Sequence, residues 1–326
     1  MRRLILILLV ALGLAPGTWL RSDVPPPSTA AVLTLNPLPL PAGCCAGGAF
    51  TLTGAWELTS PNGSFGGYSA LLADRPGRLL ALSDRGYYLE FAEPGLGTGV
   101  PLFGPVMADA ARFKANRDIE SAAIDLAGKR IWIAQEGRNG IARHRFDLAR
   151  ESFREPPEMA VWSRNSGPEA MVRLADGRFV VLCECTPERF DDAGRHPALV
   201  YAGDPTGDRP GQAFTFAGPA DYRPTDMAQL PDGRVLVVVR RLTWPVPARF
   251  AIKLALADPR EITPGGTWTA REVLDLGGDW PVDNYEGLAI EQLPDGRILA
   301  WLISDENGAV TQRVLLLRLE IDPARL

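Results

Sequence analysis

Five polar residues recur along this chain at nearly constant spacing. Ser69, Glu120, Glu169, Asp226 and Glu286 lie 51, 49, 57 and 60 residues apart. Each stands early in an alternating apolar segment. A Gly-containing turn follows, then a second, almost wholly apolar segment that ends in charge: Asp84-Arg85, Glu136, Glu184, Arg240-Arg241 and Asp305-Glu306. The loops before the first segments add Arg117, Asp118, Arg223 and Asp283-Asn284. Acids brought together repel, so their pKa values rise unless a cation intervenes. Oxygen-only ligands suit Ca²⁺ or Mg²⁺ better than zinc, and arginines offer charge-assisted donors to an anion. On this reading Glu286, Glu169 and Glu120 are the candidate catalytic acids. Arg85, Arg240 and Arg241 are the candidates for holding a small anionic or phosphorylated substrate. Asp84, Asp226, Asp305 and Glu136 are the candidate ligands of a divalent cation, Ca²⁺ first. The competing reading is a purely structural network of carboxylates and arginines.

Other chemistries find little in the sequence. There are two histidines, His144 and His196, and both fall behind the repeated segments. The chain has no G-x-S-x-G elbow, no H-E-x-x-H and no G-x-x-x-x-G-K-[ST] loop, so a hydrolase triad, a zincin and a P-loop are unsupported. A net charge of −5 argues against a nucleic-acid partner, since phosphate neutralisation needs a Lys/Arg excess.

The elements that must position these residues are hairpins. PGR at Pro76–Arg78 and DGR at Asp176, Asp232 and Asp295 supply turns in which Gly takes positive φ. The apolar second strands, such as Val235–Val239 and Ile298–Ile303, read as buried on both faces. A fixed repeat of this length predicts a repeat architecture, and repeated hairpins predict an all-β β-propeller. Outer strands are expected at Ile141–Phe146 and Glu158–Trp162, Ala198–Ala202 and Ala213–Phe216, Arg249–Leu256 and Arg271–Leu276, and Arg313–Glu320. The fifth copy then lacks a strand, and Phe50–Thr59 supplies it from the other terminus. The expectation is five four-stranded blades closed by the N-terminal strand, with six blades as the alternative. The start of each first strand and the end of each second strand would meet around one mouth of the central channel.

Met1-Arg2-Arg3 followed by LILILLVALGLA has the basic head and short apolar run of an export signal. That run is short for a membrane span. Residues 1–22 are therefore expected to be a signal peptide or an N-terminal anchor, 23–48 a Pro/Ala/Gly-rich arm, and 49–326 a single propeller domain in the periplasm or outside the cell. Membrane contact is expected only through an uncleaved N-terminus. The four cysteines form two clusters, Cys44-Cys45 and Cys183-x-Cys185. Export permits a bridge between the clusters, but spacing does not fix connectivity. A metal-thiolate site lacks companion histidines.

The motifs GGYSAL…LALSDRG, DIESAAI…QEG, GPEAMV…CE, DMAQLPDGRVLVVVRR and NYEGLAIEQLPDGRILAWLISDEN occur in this order over about residues 50–321. The set resembles the bacterial family described as having esterase-like activity of phytase. The resemblance implies an exported β-propeller, grouped by name with phosphate-ester hydrolases. It supplies no catalytic set to carry over residue by residue. This chain has ESAAI and EAMV where the family pattern more often reads E-G-L/I-A, which removes the glycine that would permit close backbone approach at Glu120 and Glu169. Two functions of different class follow: a metal-assisted phosphoesterase or esterase, and a non-catalytic binding or scaffold propeller for an anionic ligand, glycan or protein partner.

Overall fold

The turns fold as their residues dictate. Gly77, Gly177, Gly233 and Gly296 all have φ between 74° and 93°, a region that costs glycine little. In the DGR turns the aspartate accepts from the backbone N–H two residues on, at 3.0 Å for Asp176, 2.9 Å for Asp232 and 3.1 Å for Asp295. The turn arginine folds back onto the same carboxylate. These arginines are committed to their turns.

The computed structural model describes residues 3–10, 28–40, 45–95, 99–106, 117–163, 166–185, 194–245, 248–309 and 311–326. It is a five-bladed β-propeller. The innermost strands are Tyr68–Arg75, Ile119–Asp125, Pro168–Arg173, Arg223–Gln229 and Tyr285–Gln292, packed side by side around the axis. Each pairs antiparallel with the second strand of its hairpin: Arg78–Ser83, Arg130–Gln135, Phe179–Cys183, Val235–Pro245 and Ile298–Ser304. Five apolar cores form, one between each pair of neighbouring blades. A second strand therefore has a core on both faces, which is why Val235 to Val239 and Ala300 to Ile303 are wholly buried.

The chain closes on itself as expected. Phe50–Thr59 pairs antiparallel with Val314–Ile321, with Phe50 opposite Ile321 and Leu58 opposite Val314. Outside it run Thr34–Pro37 and Ala46–Gly47, so part of the Pro/Ala/Gly-rich arm extends the closing blade. Of residues 1–22, only 3–10 are among the described residues, and they are helical. Among the described residues no helix is long and apolar enough to cross a membrane.

Two outer elements differ from expectation. Glu158–Trp162 is not a strand: Pro157–Met159 is a 3-10 turn that drives Met159 and Trp162 into the core between the second and third blades. The outer strand there is the polar Arg150–Arg154. In addition, Thr267–Thr269, from the loop of the fourth blade, pairs parallel with Gln212–Ala217 of the third. Toward the finishing ends of the inner strands the channel opens into a cavity of about 350 Å³, walled by apolar residues such as Leu71, Met171, Met227 and Leu288 together with Asp125, Arg173 and Gln229. The polar residues collect at the opposite mouth.

Candidate functional site at the channel mouth

Every inner strand slips by one residue against its hairpin partner at the same place. The residues left unpaired are Ser69, Glu120, Glu169, Thr225 and Glu286. Such a bulge re-aims the extra side chain, and here it makes a ring around the axis. A second ring follows from the same register: the residues that follow Ser83, Gln135, Cys183, Val239 and Ser304, the partners of the residues just before the bulges, are Asp84, Glu136, Glu184, Arg240 and Asp305. A third lies two residues before each bulge: Gly67, Asp118, Gly167, Arg223 and Asn284. In four blades the second and third rings are joined by a backbone hydrogen bond. It runs from Asp84 N–H to Gly67, Glu136 to Asp118, Glu184 to Gly167 and Asp305 to Asn284, at 2.8 to 3.2 Å.

The fourth copy shifts the alignment by one residue. Its bulge is Thr225, whose hydroxyl donates to the Tyr285 carbonyl at 3.1 Å. Asp226 turns into the blade interface, where its two oxygens accept from Met227 N–H at 2.8 Å and Leu288 N–H at 2.7 Å. It ties the fourth blade to the fifth, and burial raises its pKa against those two donors. Asp226→Ala should cost about 2–3 kcal/mol in urea unfolding, because a buried N–H loses its acceptor, and should leave calcium affinity unchanged. A lost calcium titration in a folded variant would return Asp226 to the site.

The fourth blade also changes the charge of the mouth, contributing Arg240 where the others carry an acid. Its guanidinium donates to Glu286, to Asn284 Oδ1 at 2.6 Å and to Glu184 Oε1 at 3.3 Å. Asn284 Nδ2 donates to the same Glu286 oxygen at 2.8 Å. Burial alone would lower the Arg240 pKa, but Glu286, Glu184 and Glu169 hold it above the usual arginine value. Arg240 is thus an internal counter-ion. Arg241, next in the strand, faces the other way: it is exposed, 3.9 Å from Asp221 and over the Tyr222 ring. Arg85 stands at the rim, donating to the Phe65 carbonyl and lying 3.9 Å from Glu306.

Across the axis the second blade is all acid. One oxygen each of Asp118, Glu120 and Glu136 lie within 4.8 Å of one another. Burial, then Glu169, Glu286, Glu136 and Asp118, raise the Glu120 pKa well above the usual range. Burial and Asp118 push Glu136 up to about 7, although Gly167 N–H, 3.3 Å from its Oε1, works the other way. Glu169 is raised by burial, Glu184 and Glu136, against Arg240. Glu286 is raised by burial against Arg240 and Asn284. Asp305 is pushed up to about 8 by burial and Glu286, with Asn307 N–H opposing at 2.8 Å. Asp84 adds to the field at both Glu286 and Asp305. The Ser69 hydroxyl is buried and has no hydrogen-bond partner among the described residues. Oxygen donors at this density, with a buried hydroxyl left over, fit a hard divalent cation.

The glycines of GGYSAL make room for two of these acids. Gly66 and Gly67 have φ of 96° and 69°, and a Cβ on either would strike the carboxylate of Glu306 or Asp84. Gly67 N–H donates to Glu306 Oε2 at 2.8 Å. At Gly287 the expected close approach is met: a Cβ would lie 2.9 Å from Leu71 N and 3.0 Å from the Ala70 carbonyl carbon. Ser121, at the matching position of the second blade, instead donates its hydroxyl to the Pro168 carbonyl at 2.6 Å.

The register therefore gathers Glu120, Glu169, Glu286, Asp84, Glu136, Asp305 and Arg240, keeps Arg85 at the rim, and turns Asp226 and Arg241 away. Asp118, Glu184 and Asn284, which the sequence offers as ring members without a role, are in direct contact with the assigned ones. Both histidines are held inside blades: His144 Nδ1 is 2.9 Å from the Leu148 carbonyl, and His196 lies between the carbonyls of Cys185 and Tyr222 at 3.2 and 3.1 Å.

Comparison with known proteins adds three findings. Among curated proteins none matches the chain. Solved structures match the chain at low identity. Glutaminyl cyclase of Myxococcus xanthus is 11% identical with a TM-score of 0.46, covering 84% of this chain and 97% of that one. A gluconolactonase of Xanthomonas campestris is 13% identical with a TM-score of 0.42, covering 91% of this chain and 99% of that one. The family profile described as Phytase-like, esterase-like activity of phytase, matches residues 63–308, a span that contains all five bulges, Arg85 and Arg240. The chain belongs to the Phytase-like family.

Proposed function

We propose that this protein is an exported, calcium-assisted esterase that cleaves small phosphate esters at the acidic mouth of the propeller. The observation that carries the reading is the Asp118–Glu120–Glu136 triplet, set beside the unpartnered Ser69 hydroxyl and across the axis from Arg240. Asp118, Glu120 and Glu136 would hold the cation. When bound, it would polarise a phosphoryl oxygen and offset the charge that develops there. Arg85, exposed at the rim, is placed to meet an incoming anion. Arg240 is already engaged by Glu184 and Glu286, so its part is to hold those two acids in place. Glu286 accepts from Arg240 and Asn284 and is a poor candidate for a proton carrier. Burial and neighbouring acids raise the Glu169 carboxyl well above its usual range, which favours its protonated form and makes it the candidate acid for a leaving oxygen. The N-terminal basic head and apolar run support export.

A second reading is favoured by the Arg240 network itself: acids satisfied by a tethered guanidinium need no turnover to explain them. On that reading the mouth binds an anion and releases it unchanged. The deciding experiment incubates purified protein with phytate, p-nitrophenyl phosphate and p-nitrophenyl acetate, with and without Ca²⁺, beside the Glu120→Gln variant. Calcium-dependent release that falls about 100-fold or more in the variant supports the esterase. Calcium binding without release under any condition supports the binding propeller. No calcium binding and no release sinks the cation reading altogether.

A further inference from the structure

We propose that Cys183–Cys185 is a redox-active pair that exchanges with small thiols and sets the position of Glu184 in the mouth; this rests on the cation reading above. The two cysteines are bonded to each other, so the bridge expected between the two clusters is not made by this pair; Cys44 lies outside the described residues. The bond encloses one residue, and that residue is Glu184, the acid that the third blade contributes to the second ring.

A bridge across so short a loop removes little entropy from the unfolded chain, so stability is a weak reason for it. Its surroundings suit both redox states. Both sulfurs stand 3.0 Å from the Ser166 carbonyl oxygen, an acceptor ready for either thiol once the bond is reduced. Cys183 is buried and Cys185 half-buried, so an incoming thiolate reaches the Cys185 sulfur first. It forms a mixed disulfide there and releases the Cys183 thiolate. A second thiolate attacks the mixed disulfide, leaving as the oxidised thiol and freeing the Cys185 thiolate. Both protein thiolates take protons from water. The pair gains two electrons and two protons, and two small thiols become one disulfide.

The change has a short route to the site. Once parted, the sulfurs move from bonded to non-bonded separation. The Cys185 carbonyl is held by His196 at 3.2 Å, so the shift falls on Glu184 and on Ser166-Gly167. Glu184 carries the contact to Arg240 at 3.3 Å, and its backbone N–H donates to the Gly167 carbonyl at 3.2 Å. Gly167 N–H in turn donates to Glu136 of the acidic triplet at 3.3 Å.

The test uses calcium chloride as the probe and glutathione as the reductant, on the full chain. Thiol-treated and untreated protein are alkylated, weighed to count modified Cys183 and Cys185, and titrated with calcium by calorimetry. Both cysteines should become alkylated while the circular dichroism spectrum stays that of the folded protein. Calcium affinity should fall about tenfold, a usual size for coupling between sites. Cys183→Ser/Cys185→Ser should begin at the reduced value and ignore glutathione; if it does not fold, the wild-type comparison decides. Cysteines that resist the thiol, or reduced protein that binds calcium as tightly as or more tightly than oxidised protein, overturn the proposal and leave the cation site standing. If neither form binds calcium, the cation reading falls and this inference falls with it.

Discussion

Removing residues up to Thr59 should abolish the folded state. Phe50–Thr59 is the fourth strand out from the axis in the closing blade, and its loss exposes the whole edge of Val314–Ile321. Phe50, Leu52, Ala55 and Leu58 are buried, and Phe50 and Leu52 lie in the core between the fourth and fifth blades while Leu58 lies between the fifth and first. Large-to-small changes at single core positions of this kind cost about 2–5 kcal/mol each. Several at once exceed the roughly 5–15 kcal/mol that holds an ordinary domain together. The remaining strand edge would also be open to pairing with other chains. The truncated chain should therefore elute as aggregate and show no cooperative melt, and Phe50→Ala alone should lower stability by about 3–5 kcal/mol. A truncated chain that melts at the parent temperature would mean that the ring does not depend on this strand.

The hairpins are legible in the sequence because their signals are local: a DGR turn with an Asp that caps its own backbone, an alternating strand before it, an apolar one after. Closure is legible by counting, since the fifth copy lacks a strand and Phe50–Thr59 lacks a partner. The mouth is legible as a zone for the same reason. Individual contacts are not, because they depend on register, and a slip of one residue sends a side chain to the other face. Thr225 and Asp226 are adjacent and both polar, so nothing in the segment RPTDMAQ tells which one the bulge will expose. The same limit separates Arg240 from Arg241, side by side in sequence but on opposite faces of the strand. That Arg240 neutralises Glu184 and Glu286 rather than waiting for substrate follows from contacts 56 and 46 residues away in the chain. The outer strands are harder still: Arg150–Arg154 carries no apolar pattern, and the more apolar Glu158–Trp162 serves as a plug instead.

The acidic mouth should make the metal-free protein lose stability as pH rises from about 5 to above 8. Glu136 and Asp305 are held at about 7 and about 8 by burial and by neighbouring acids, and Glu120, Glu169 and Glu286 are raised as well. In the unfolded chain these groups titrate near 4. A folded-state pKa raised above the unfolded one gives a contribution that is complete below about 4 and disappears as pH climbs through 7 and 8. Each unit is worth about 1.4 kcal/mol for an independent group; these acids share protons and field, so the summed loss is on the order of 5 kcal/mol. Surface pairs run the opposite way but finish earlier. Asp147, Asp232, Asp258 and Asp295 are held below their usual values by their own arginines, so their contribution is lost only in stronger acid. Chelated protein should thus melt highest near pH 5 and progressively lower toward pH 9. Calcium should reverse the trend, because a bound cation takes the place of the protons that the acids otherwise need. The rise in melting temperature on adding calcium should be small at pH 5 and large at pH 8.5, and calorimetry in buffers of different ionisation enthalpy should register proton release. Glu120→Gln removes the acid at the centre of that repulsion: its chelated form should resist the alkaline loss better than the parent and gain little from calcium. A metal-free melting temperature that stays level or rises between pH 5 and 9 would contradict the buried, mutually repelling mouth. A calcium increment equal at both ends of that range would place the ion's ligands somewhere other than these acids.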